Sequence, residues 1–134
     1  MMTRKEFETS LYNPLLNWQG KTKEDVRRLL NNTVAQMVKY DQHNPHHCYD
    51  LFIHTLRTVD DIGLSFSTIL RVAAFFHDIG KPSVAFEKQG RLVFYGHAKK
   101  SSELAAPILS QLGYSELEKV LICFLISHHD DFIS

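Results

Sequence analysis

Cysteine is scarce in these 134 residues: Cys48 and Cys123 are the only two, and they form no C-x-x-C pair. Each sits in an apolar or mixed stretch of helical periodicity and reads as a small buried hydrophobe of a reducing compartment. Disulfide scaffolds, thiolate zinc sites and dithiol redox chemistry are thereby excluded. Long apolar runs are missing too. No stretch reaches the roughly 20 residues of a bilayer span, and the N-terminus MMTRKEFETSLYNPLL lacks the apolar core of a signal peptide. A soluble, cytoplasmic protein is expected, with no membrane partner. Excess charge of one sign is absent as well, since 15 basic and 15 acidic side chains cancel. Such a chain builds no broad field to gather nucleic acid, so tight nucleic-acid binding by it alone is not expected. No repeat, low-complexity tract or dividing linker occurs. That pattern predicts one domain over residues 1–134, with 1–21 as an N-terminal extension packed on it.

What is present is helical patterning, punctuated by a few glycines and prolines. Asn13-Pro14 and Gly20 break any long helix near the start. Thr22 with Asp25 three residues on makes a capping-box start, and Val26, Leu29, Leu30, Val34, Met37 and Val38 then keep one stripe to about Tyr40. Pro45 suits the first turn of a second helix, which runs through Tyr49, Phe52, Ile53, Leu56 and Val59 to Ile62 and ends at Gly63. A third, from about Ser67 to Ile79, is apolar almost all round and predicts a central buried helix, ended by Gly80 and Pro82. Residues 83–96 alternate around Gln89-Gly90 and read as a short hairpin or an extended loop. A fourth helix spans His97 to Leu112, with a kink or break expected at Pro107, and a fifth spans Glu116 to about His128. The fold class is therefore all-α, a compact bundle of about five core helices.

Eight histidines are a high count, and their positions matter more than their number. His77-Asp78 closes the apolar run RVAAFFHDIGKP, where a buried imidazole and carboxylate are costly unless something pairs with them. A metal ion is the natural partner. The C-terminal end of a helix also favours a cation. His54 lies inside the second helix, seven residues after His47 and on the same face. His97 opens the fourth helix, and His128 or His129 closes the fifth. Helix ends and faces that converge in this way are how bundles build metal sites. Lys81 follows within reach and suits an anionic substrate group such as a phosphate. Singly, each residue has a plainer role: His54 as a core histidine, His97 as a helix start, Lys81 as a surface lysine, His43 and His46 as solvated turn residues. Their joint occurrence carries the argument.

The segments NPHHCYDLFIHTL, LRVAAFFHDIGKP, FYGHAKKSSELA and LISHHDD closely resemble the HD-domain phosphohydrolases. Their wording is most similar to HD modules of bacterial tRNA nucleotidyltransferase-like proteins. The resemblance spans about Asn44 to Asp130. It implies a helical bundle around one or two divalent ions, with His54, His77 and Asp78 as signature ligands and His97 and His129 as the additional ones. His129 is preferred over the alternate His128 because Ile126 and Asp130 then fall on the family's apolar and following positions. His47 matches a histidine beside the pocket, where substrate contact is implied. Lys81 matches the lysine of the HDIGK form. Family members usually carry a further aspartate on a later helix. This chain ends at Ser134 before one, leaving Asp130, Asp131 or a water in that role, or marking the sequence as part of something longer.

The expected chemistry is hydrolysis of a phosphomonoester or phosphodiester, of a nucleotide in particular, by a water that one or two divalent ions make acidic. Asp78 and Lys81 would be its catalytic side chains, with Lys81 and His47 binding the small phosphorylated substrate. Imidazole and carboxylate donors without thiolate suit Mn, Fe, Co or Ni at least as well as Zn. The runner-up is a non-catalytic HD-like module that binds a nucleotide or a partner protein within a larger RNA-processing or signalling protein.

Overall fold

Capping residues set most of the helix boundaries in this computed structural model, which describes residues 1–43 and 49–129. The helix start expected at Pro45, together with His46, His47, Cys48, Asp130 and Asp131, lies outside the described residues. Thr3 and Glu6 box the start of α1 (Arg4–Ser10), and Asn13 caps α2 (Pro14–Trp18), whose first position is the proline. Thr22 and Asp25 form the expected box at α3 (Lys23–Leu29). The single helix expected as far as Tyr40 is instead divided. Leu30 leaves helical geometry, and Asn31 caps a new short helix, α4 (Asn32–Ala35), by accepting from the Val34 amide at 3.1 Å. The asparagine offers the backbone an alternative to continuing the ladder. The apolar stripe hides this break, because Val26, Leu30, Val34 and Met37 are buried on both sides of it.

Asp50 caps α5 (Leu51–Ile62), which Gly63 ends at φ 70°; Tyr49, expected inside this helix, precedes the cap. Ser67 caps α6 (Thr68–Phe76), which contacts α5 and carries an unbroken run of buried residues to Gly80. This is the expected central helix, but it stops at Phe76, so that His77 and Asp78 sit in the turn beyond it. Pro82 then begins the one-turn helix α7 (Lys81–Val84), where it was expected to terminate structure. At the first turn its missing N–H costs nothing.

The 83–96 segment contains a hairpin, β1 (Phe86–Lys88) paired antiparallel with β2 (Arg91–Val93), Phe86 opposite Val93. Gln89 and Gly90 both take positive φ, as a two-residue hairpin turn requires. Next, α8 (His97–Leu112) is one helix, with no break at Pro107. Pro107 and Glu103, the residue whose carbonyl loses its donor, are both exposed, so water can serve that carbonyl. Ser115 and Glu118 box the start of α9 (Glu116–Ser127), which packs on α8 and α6. Among the described residues no helix is long and apolar enough to cross a membrane.

The N-terminal helices supply part of the central core. Phe7 stacks edge-on against Phe75 with ring centroids 5.0 Å apart, and Trp18 lies 5.4 Å from Phe75 and 6.1 Å from Phe52. At the surface, Arg4 donates twice to Glu118, at 2.9 and 2.6 Å, tying α1 to the start of α9. That pairing, with the Ser115 backbone amide second, holds Glu118 down at about 2 against its ordinary 4.5. A carboxylate lowered on folding stabilises fully above its unfolded value and stops doing so as pH falls through the folded one. Glu118→Gln is therefore expected to melt below wild type at pH 7. The gap should close between about pH 5 and pH 2, as thermal melts followed by circular dichroism would show.

Candidate metal centre

Asp78 is 2% exposed, at the bottom of a cup formed by the end of α6, the middle of α5, the start of α8 and the segment after α9. Its two oxygens face different neighbours. Oδ2 lies 3.1 Å from His77 Nε2, 4.0 Å from His54 Nε2 and 3.5 Å from Lys81 Nζ. Oδ1 lies 3.3 Å from His97 Nε2 and 3.8 Å from His129 Nε2. Two sets of potential ligand atoms result, His54–His77–Asp78 and Asp78–His97–His129, each with all its atoms within 4.8 Å of one another. They share the aspartate, which can therefore serve two ions.

The far sides of three of the four imidazoles fix which nitrogen faces Asp78. His77, His97 and His129 direct Nδ1 at the backbone carbonyls of Ala74, Phe94 and Ile126, at 2.5, 3.0 and 2.8 Å. Each carbonyl belongs to the residue three positions earlier. Carbonyls only accept, so each Nδ1 carries hydrogen, and in the neutral ring Nε2 is left as a lone pair aimed at Asp78. Lone pairs then face a carboxylate, and the Nε2 atoms of His97 and His129 face each other at 3.2 Å. Asp78 Oδ1 is buried without a hydrogen-bond partner among the described residues. Positive charge between these atoms removes the conflict, and a divalent ion with mixed nitrogen and oxygen ligands is that charge in the form this donor set fits.

Protons respond to the same imbalance. Burial pushes the Asp78 carboxyl upward, but His77, His97 and Lys81 outweigh it and hold the group well below the usual carboxylate range. Asp78, ready to accept from a protonated His97 Nε2, raises that imidazole above its ordinary 6.5, against the effect of burial. Whether met by a proton or an ion, the carboxylate demands a cation at that spot.

The residues singled out in the sequence are placed as follows. His54, His77, Asp78, His97 and His129 come together, with Lys81 beside them. His128, the alternate ligand, is exposed and stacks on Phe124 at 4.4 Å, outside both ligand sets. His47 and Asp130 lie outside the described residues. His43 is exposed, as expected of a turn residue. Three residues of the centre carry no such signal in the sequence. Gln42 is buried and accepts from Lys81 Nζ at 2.8 Å. Ser101, also buried, accepts from the Gly80 amide at 2.8 Å. Gly80, expected only to end the third helix, has φ −80°, which any residue adopts, so its backbone conformation does not require glycine. A Cβ there would meet Ser101 N at 2.6 Å and the His97 carbonyl at 2.8 Å. Its hydrogen atom is what lets α8 approach close enough to bring His97 onto Asp78.

A family profile described as HD domain matches residues 46–134, well over half of the chain and all five of the clustered His and Asp residues. No curated protein and no solved structure matches the chain significantly, so the finer likeness to tRNA nucleotidyltransferase-like modules rests on residue wording alone.

Proposed function

The chain belongs to the HD domain family, and from that premise we propose that it is a metal-dependent phosphohydrolase acting on a phosphomonoester or phosphodiester of a nucleotide. The observation that carries this reading is a buried aspartate between two histidine sets that share it. His54, His77 and Asp78 Oδ2 would hold one divalent ion; Asp78 Oδ1, His97 and His129 would hold a second. Divalent ions at such positions supply Lewis acidity toward phosphoryl oxygens and water that ionises near neutral pH.

The chain's own groups do the rest. Three carbonyl-anchored imidazoles keep their Nε2 atoms on one point without reorganisation, which is electrostatic preorganisation of the ligand set. Lys81, its side chain 12% exposed and braced by Gln42, holds a fixed positive charge at the cup's edge. There it offsets charge on a phosphoryl group and orients it, a role that needs no proton transfer. Lys81→Met is expected to retain metal and lose about 10²-fold in kcat/KM, as measured with a chromogenic phosphodiester.

The reading is tested by the metal content of the purified protein together with hydrolysis of bis(p-nitrophenyl) phosphate and of nucleotides. Bound Mn, Fe, Co, Ni or Zn in one or two equivalents, with turnover removed by chelation, is the expected result. Folded protein that takes up no divalent metal and cleaves none of these esters would overturn it. Nucleotides that raise the melting temperature without ever being cleaved would replace it with a binding module.

A further inference from the structure

We infer that Gln42 is a substrate-binding residue, whose amide donates to a phosphoryl oxygen of a nucleoside phosphate lying along β2 and the start of α8. The inference rests on the phosphohydrolase reading and deepens it. Gln42 borders a cavity of about 460 Å³ with Lys81, Phe94, Tyr95 and His97. That volume falls within the roughly 300–1,000 Å³ typical of small-ligand sites. Lys81 and His97 belong both to this wall and to the group around Asp78, so the cavity adjoins the metal centre.

Gln42 is 1% exposed, and its orientation follows from its neighbour. An ammonium only donates, so the atom 2.8 Å from Lys81 Nζ is the amide oxygen and Nε2 is the other end. Nε2 is buried and has no hydrogen-bond partner among the described residues. An unpaired buried donor is retained at a cost, which a ligand acceptor would cancel. Lys81 uses its N–H groups on Gln42 and, at 3.5 Å, on Asp78, which leaves one more donor at the same edge. Donors concentrated there call for an anionic group with several acceptor oxygens, and a phosphoryl group fits.

The rest of the wall is aromatic in part. Phe94 lies under Lys81 Nζ at 5.2 Å, and Tyr95 is 62% exposed, its ring 5.5 Å from Phe86. Aromatic faces beside a phosphoryl site suit a flat heterocycle stacked on them. A nucleoside phosphate carries both groups at the required ends.

Gln42→Glu tests this directly, since a carboxylate still accepts from Lys81 but puts negative charge where the donor stood. If Gln42 only braces Lys81, this variant keeps the brace and loses affinity through the added charge alone, so Gln42→Leu, which adds no charge, should also weaken phosphate for the inference to stand. The probes are AMP and inorganic phosphate, titrated by calorimetry into chelator-treated protein, with circular dichroism to check folding. Wild type should bind AMP, with phosphate competing, and Gln42→Glu should weaken both at least tenfold. Tyr95→Ala, at an exposed position that leaves the core intact, should weaken AMP at least tenfold and spare phosphate. Unchanged AMP affinity in Gln42→Glu, or no AMP binding by wild type, overturns the inference; if Gln42→Glu does not fold, unchanged AMP affinity in Tyr95→Ala overturns it. Metal content and bis(p-nitrophenyl) phosphate turnover, measured on the same preparations before chelator treatment, keep the two failures apart. If both persist while Gln42→Glu binds normally, only this inference falls. If both are absent while AMP affinity depends on Gln42, the hydrolase reading falls and the cavity stands as a nucleotide site.

Discussion

Asp78→Ala protein is expected to fold, to retain no more than background divalent metal, and to lose about 10³-fold or more of its phosphodiester turnover. Two facts make this the largest functional effect in the chain. Asp78 is the one residue common to both ligand sets, so its removal strips an oxygen donor from each. It is also the carboxylate around which four imidazoles and Lys81 are gathered, and among the described residues it is the one anion in contact with them to offset a bound cation. Asp78→Asn sharpens the result by keeping the shape and removing the charge, and it should bind metal nearly as poorly as alanine. His128→Ala should leave metal content and turnover unchanged, because that ring is outside the cup. Plasma emission spectroscopy on purified proteins, alongside the chromogenic assay, checks all three. Asp78→Ala protein with wild-type metal content would remove Asp78 from the centre.

Gly80→Ala is expected to cost about 3 kcal/mol of stability and to lower the melting temperature by roughly 10 °C. One methyl group has this effect because of what it meets. The nearest atoms are the Ser101 nitrogen, the His97 carbonyl oxygen and Lys100 Cβ, at 2.6, 2.8 and 2.9 Å. Two of the three are main-chain atoms of the first turns of α8, which cannot swing aside as a flexible side chain would. The helix start has to move, stretching the buried Gly80–Ser101 hydrogen bond and drawing His97 off Asp78. Weakened metal binding should therefore accompany the lost stability. Ser101→Ala, by contrast, removes only the hydrogen bond and should cost about 1–2 kcal/mol with metal binding intact. Melting curves and metal titrations on the two variants separate the effect of crowding from that of the bond.

Local chemistry accounts for most of what could be read along the chain. Thr22 with Asp25 and Gln89-Gly90 at the hairpin act within two to four residues, so their signals lie in adjacent letters. Asn31 acts equally locally, yet the continuing apolar stripe concealed it, because burial depends on the face a residue presents and not on whether the helix is continuous. Pro107 failed as a break for a tertiary reason: it fell on the exposed side of α8.

The sequence by itself determined that the fold is helical and made His77-Asp78, His54 and His97 candidates to hold a metal ion. Those conclusions follow from the cost of a buried polar pair beside an apolar run and from the family wording around it. Tertiary structure decided three other things. It set His129, the residue the family wording already preferred, 3.8 Å from Asp78 and left His128 exposed, since neighbouring residues at a helix end point in different directions. It gave Gly80 its purpose, a close approach to a helix that starts 17 residues further along the chain. It placed Gln42 against Lys81, 39 residues away. These are distances between remote segments, and a one-dimensional pattern does not contain them.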